Sequence, residues 1–177
     1  MIEVTNLNPT QFVGLLGFAA AAAACAWAAR ATRLRLWWKL AWACGAAALE
    51  AVFGLRHRLH GLVDGALQAQ GWYESRGPVQ LGLIVLALLL FGGVLVWLWR
   101  LRGVSGPAWW AAVGCAAAWG LFLIETISLH GVDSLMYASI GQVRVIGWAW
   151  VVIALGVTGA GMQAAMAGRK SPSTIRR

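Results

Sequence analysis

Long apolar blocks separated by short polar segments organise the chain. They run from about Gln11 to Ala29, Trp38 to Leu55, Val79 to Trp99, Trp109 to Leu129 and Val145 to Ala167. Crossing the hydrocarbon core takes ~20 residues at a rise of 1.5 Å each. Every block is close to that length, and the apolar residues fill it continuously. They do not recur every third or fourth position, as the stripe of a half-buried soluble helix does. The pattern predicts an all-α, polytopic membrane helical bundle of five transmembrane helices, at about 11–29, 38–58, 79–99, 109–129 and 145–167. The chain then reads as one integral membrane domain over 1–177, ending in a basic tail over 168–177.

Composition agrees: 60% of the 177 residues are hydrophobic and 11% are charged, where a soluble domain carries about a quarter charged. A secretory signal wants basic residues before its apolar run. The opening "MIEVTNLNPT" has one Glu and no Lys or Arg, while Arg30, Arg33 and Arg35 follow the run. The first block therefore reads as an uncleaved span with its amino end outside. Alternating five spans from there places the first loop, the third loop and the tail in the cytoplasm. Those segments hold Arg30, Arg33, Arg35, Lys39, Arg100, Arg102, Arg169, Lys170, Arg176 and Arg177, and no acid. All six acids (Glu3, Glu50, Asp64, Glu74, Glu125 and Asp133) fall on or toward the other face, with Arg56, Arg58, Arg76 and Arg144. This is the bias of the positive-inside rule. The net charge of +8 is thus a topology signal, and it gives no reason to expect nucleic acid as a partner. The expected setting is a bacterial-type inner membrane, with lipid, a second copy or another membrane subunit as partner.

Tryptophan fits the same frame. Trp37, Trp38, Trp97, Trp99, Trp109 and Trp110 map to the inner border and Trp148 and Trp150 to the outer one, as an aromatic belt would. Cys25, Cys44 and Cys115 fall on three helices at similar depth and read as small helix-packing residues.

An internal repeat runs through the rest. "LEAVFGLRHRLHGLVDGAL" closes the second span and "LFLIETISLHGVDSLMY" the fourth; each has a Glu within the membrane, then Leu-His-Gly, then Val-Asp. The next spans open alike, with "GPVQLGLIV" and "GQVRVIGWA". Spans two-three and four-five therefore read as parallel copies of one hairpin, a repeat type whose interface holds sites in other membrane folds. Gly156 and Ala160 offer a small-xxx-small approach on span five.

The repeat gathers the chain's scarce polar groups toward one end. Glu50 lies well inside the hydrocarbon and Glu125 about two turns below the outer border, where an ionisable group needs a partner or a function. His57, His60 and Asp64, at steps of three and four, share a helical stripe with Glu50; His130 and Asp133 repeat the i,i+3 step. These three histidines and two aspartates are the candidate ligands of a divalent metal such as zinc, or His60 and His130 of a haem. Arg56 and Arg58 put positive charge where a cation would sit, which weighs against both. Arg76 and Arg144, with Tyr73 and Tyr137, border the same region and suit an anion such as a phosphate or carboxylate. There is no nucleophile elbow, phosphate loop, C-x-x-C pair or soluble catalytic module. The leading expectation is an outer-face polar pocket for a small ligand, lipid headgroup or partner subunit. A metal- or haem-dependent enzyme at the same pocket comes second, and a component of a proton-coupled transporter using Glu50 third.

Overall fold

A computed structural model describes residues 7–55, 58, 61, 62, 65, 76–127 and 134–170. Its elements are α1 (Pro9–Thr32), α2 (Arg35–Phe53), α3 (Arg76–Arg100), a short 3₁₀ turn (Leu101–Gly103), α4 (Gly106–Ile127), β1 (Ser139–Ile140), β2 (Val143–Arg144) and α5 (Val145–Lys170). Four helical segments, Pro9–Thr32, Ile84–Gly103, Gly106–Glu125 and Val145–Arg169, are long and apolar enough to cross a membrane. The chain is a multi-pass membrane protein. Helix α2 has 19 residues and carries Arg35, Lys39 and Glu50.

Local sequence sets the helix ends. Asn8 caps α1: its Oδ1 accepts from the Gln11 N–H at 2.9 Å, and Gln11 Oε1 accepts from the Asn8 N–H at 3.1 Å. Pro9 takes the first helical position, where its missing N–H costs no hydrogen bond. At the other end Arg33 turns the chain with a left-handed backbone (φ 57°), and α2 starts two residues later. Gly54 stops α2 in the same way (φ 56°), its N–H bonded to the Glu50 carbonyl at 2.9 Å. α2 thus stops at Phe53, and beyond this cap Leu55 and Arg58 are again helical, the Arg58 N–H bonded to the Gly54 carbonyl at 3.3 Å.

Helices α1 and α5 run parallel and in register at the centre of the bundle. A β-carbon on Gly147 would meet Thr10 Cγ2 at 2.8 Å; on Gly161, the Ala24 carbonyl carbon at 3.0 Å; on Gly168, the Ala31 carbonyl oxygen at 3.0 Å. Gly17 faces Ala154 likewise, at 3.1 Å. Thr10, Gly17, Ala24 and Ala31 on one helix thus oppose Gly147, Ala154, Gly161 and Gly168 on the other, all seven apart. A seven-residue repeat keeps one seam facing the partner over many turns, and small side chains let membrane helices approach closely where no hydrophobic force draws them together. The expected pair Gly156 and Ala160 does not make this seam: Ala160 is buried, but Gly156 faces outward with nothing within 4 Å of its added β-carbon.

Helix α2 folds back on α1, with Ala51 against Gly14. α4 lies antiparallel to α5, pairing Gly114 with Val157 and Phe122 with Trp150. α2 and α4 share the remaining seam, where Trp119 donates to the Ala43 carbonyl at 3.3 Å. Two buried clusters fill the four-helix interior. One holds Cys25, Trp37, Cys44, Cys115 and Val157; the other holds Phe18, Ala47, Ala51, Phe122 and Trp150. Trp37 and Trp150, expected in the interfacial belt, are core residues at 0% and 2% exposure. Trp99, Trp110 and Trp148 do face outward. Among the described residues α3 packs chiefly along α4 and shows lipid-suited side chains such as Leu88, Leu89 and Phe91 on its surface.

Candidate functional site

Where α1 and α5 begin and α2 and α4 end, the helices open into a polar cleft of about 160 Å³. Its walls are Asn8, Thr10, Gln11, Ala51, Gly54, Glu125, Tyr137, Arg144, Ile146 and Trp150. The floor is apolar: Ala51, Ile146 and Trp150 also belong to the aromatic core cluster beneath.

A two-strand hairpin supplies one wall. β1 and β2 pair antiparallel, Ser139 with Arg144 and Ile140 with Val143. The two-residue loop between them begins with Gly141 at φ +68°, which is the place for Gly in a type II′ turn. The Arg144 N–H donates to Thr10 Oγ1 at 3.0 Å, and the Val145 N–H donates to the Ala138 carbonyl at 2.9 Å. The first bond fixes the hairpin to the start of α1. It leaves the Arg144 side chain over the Tyr137 ring, 5.1 Å from guanidinium carbon to ring centroid, within cation–π range.

Among the described residues, two acids lie at this end, with different surroundings. Glu125, 5% exposed, lines the cleft from the last turn of α4, and the Tyr137 hydroxyl donates to its Oε1 at 3.4 Å. Glu50, 7% exposed, accepts the Leu55 N–H on Oε2 at 3.1 Å. It therefore helps to cap its own helix, where the chain leaves α2 through Gly54. A buried carboxylate is tolerated when it is hydrogen-bonded, and this backbone donor accounts for part of what Glu50 needs. Gln11 ties the two helix ends together, because its Nε2 donates to the Val52 carbonyl at 3.2 Å while its other groups serve the α1 cap.

Of the residues singled out in the sequence, Glu125, Tyr137 and Arg144 meet in the cleft, and Glu50 sits one turn before Gly54, which lines it. Arg76 begins α3. His57, His60, Asp64, Tyr73, His130 and Asp133 lie outside the described residues. Among the described residues, no three His, Cys, Asp or Glu side chains are grouped to hold a metal ion. The sequence reading missed Asn8, Thr10 and Gln11. Their signal is "NPTQ" at 8–11, Asn followed by Gln three residues on, the signature of a helix start.

No protein-family model, curated protein or solved structure matches the chain.

Proposed function

We propose that the chain crosses a bacterial-type inner membrane five times, with its amino end outside and its carboxyl end in the cytoplasm. Parallel α1 and α5 support the count, because helices that run the same way are separated by an odd number of crossings. Three lie between them only if α2 crosses with α3 and α4. Lysine and arginine support the orientation. Arg30, Arg33 and Arg35 at the α1–α2 turn and Arg169 near the end of α5 belong to one end of the bundle, where Arg169 rests on the Trp27 ring 5.1 Å away. Arg100 ends α3 and Arg102 lies in the turn after it, just before α4. The polar cleft then opens at the outer face.

The cleft is a binding site for a small zwitterionic group, and the lipid headgroup phosphoethanolamine is its best-matched occupant. The observation that carries this reading is the joining of one carboxylate, Glu125, and one guanidinium, Arg144, in a cavity of about 160 Å³. That volume holds roughly five waters at ~30 Å³ each and falls below the ~300 Å³ at which drug-sized pockets begin. Glu125 suits an ammonium and Arg144 a phosphate or carboxylate. Thr10, Gln11 and Asn8 add neutral hydrogen-bonding groups, and the apolar floor suits the start of an acyl region.

Calorimetric titration of the purified, delipidated protein tests the reading with O-phosphoethanolamine, ethanolamine and inorganic phosphate. The zwitterion binds more tightly than either fragment. Arg144→Ala and Glu125→Gln each remove a charge-assisted contact worth about 1.5–3 kcal/mol, so each weakens O-phosphoethanolamine by roughly 10- to 150-fold. Equal affinity for all three probes, unchanged by both substitutions, would overturn it.

A further inference from the structure

We propose that Cys44 and Cys115 form a covalent modification site, a dithiol that closes to an intramembrane disulfide when it meets a lipid-soluble two-electron oxidant of the quinone class. Their Sγ atoms are 3.4 Å apart, and both are buried, at 3% and 6% exposure. Each lies nine residues from the start of its helix, so the two thiols share one depth in α2 and α4. Bonding requires the sulfurs to close by about 1.4 Å, to the ~2.05 Å of a disulfide. Cys25 belongs to the same buried cluster and also neighbours the Cys44 thiol, but it is the Cys44–Cys115 pair that joins α2 to α4.

The surroundings select the oxidant. Beside the pair is an apolar crevice, too tight to hold a water molecule, lined by Phe18, Ala47, Ala118, Ile153 and Val157, and Trp119, 41% exposed, borders it. Charged and strongly hydrated oxidants do not enter such a place. A thiolate is costly there as well, which favours a reagent that takes protons together with electrons. In the step, two S–H bonds break and one S–S bond forms. The two sulfurs give up two electrons and two protons, and a benzoquinone accepts all four to leave as a hydroquinone. The cross-link would lie ~9 Å below Glu50 and ~15 Å below Glu125 along their helices, and it would fix the α2–α4 seam under the cleft. This inference does not depend on what the cleft binds.

The test uses full-length protein in lipid nanodiscs. It is treated with decylubiquinone, whose fully substituted ring resists thiol addition, or with iodine, a small apolar two-electron oxidant. It is then denatured, alkylated and weighed intact. The chain has three free cysteines; oxidised wild type is expected to take one alkyl group, Cys25→Ala none, and Cys115→Ala two, as before treatment. Three alkyl groups on wild type after iodine, or a bond between two chains, would overturn the site. Closure by iodine without closure by decylubiquinone would overturn the quinone assignment.

Discussion

Replacing Gly161 by alanine adds a single methyl group where the backbones of α1 and α5 approach closely. The new β-carbon would stand 3.0 Å from the Ala24 carbonyl carbon and 3.1 Å from its oxygen and β-carbon. Backbone atoms of a neighbouring helix cannot swing aside as a side-chain tip can, so α1 and α5 must separate along a seam continuous from Thr10 to Gly168. Overpacking of this kind costs about 1–3 kcal/mol. The same substitution gains about 0.8–1 kcal/mol in intrinsic helix preference, which blurs the result for one variant. Gly156→Ala removes the ambiguity: it lies on the same helix, faces outward and meets nothing within 4 Å. Both variants gain the helix preference and only one meets the obstruction. Their difference is therefore the overpacking cost itself, about 1–3 kcal/mol, or roughly 5- to 150-fold in the folded-to-unfolded ratio. Unfolding in mixed micelles with rising dodecyl sulfate, followed by tryptophan emission, reads it out, since Trp37 and Trp150 are buried. Gly161→Ala is the less stable of the two. Equal midpoints for both variants would refute the parallel α1–α5 seam.

Other substitutions probe the cleft end. Thr10→Val keeps the shape but removes the acceptor of the Arg144 N–H; a loss of about 1 kcal/mol is expected in the same unfolding assay, with faster amide exchange at Arg144 by mass spectrometry. Glu50→Ala leaves the Leu55 N–H without this acceptor and costs about 1–3 kcal/mol. Glu50→Gln keeps an acceptor oxygen and loses less, so equal losses would count against the capping role. Asn8→Ala removes the α1 cap at a cost of about 1 kcal/mol, measured as a lower unfolding midpoint.

The helices were legible because each is an apolar block bounded by charge or proline, and membrane burial leaves that signature in composition alone. What the sequence obscured were single backbone events and the choice between two destinations for one residue type. Gly54 ends α2 one residue before the second apolar block closes at Leu55, and a lone glycine there does not announce a left-handed turn. "SIGQVR" at 139–144 carries a hairpin signal in Gly141 between β-branched residues, yet it is too short to stand out beside five long helices. Tryptophan near a span end suits the headgroup layer in general, and nothing local to Trp37 or Trp150 distinguishes the core from the border. That depends on which face α1 and α5 present to each other. Of the candidate site, the charged members Glu125 and Arg144 could be found as expensive or boundary residues. Asn8, Thr10 and Gln11 read as an ordinary helix start and gain their second role only when α5 begins beside them.

Native mass spectrometry of the protein, released from membranes containing equal amounts of phosphatidylethanolamine and phosphatidylglycerol, tests the headgroup cleft most directly. Wild type is expected to retain phosphatidylethanolamine preferentially at one lipid per chain, and Arg144→Ala is expected to lose that preference. Equal retention of the two lipids by wild type, or a preference that survives Arg144→Ala together with Glu125→Gln, would contradict it.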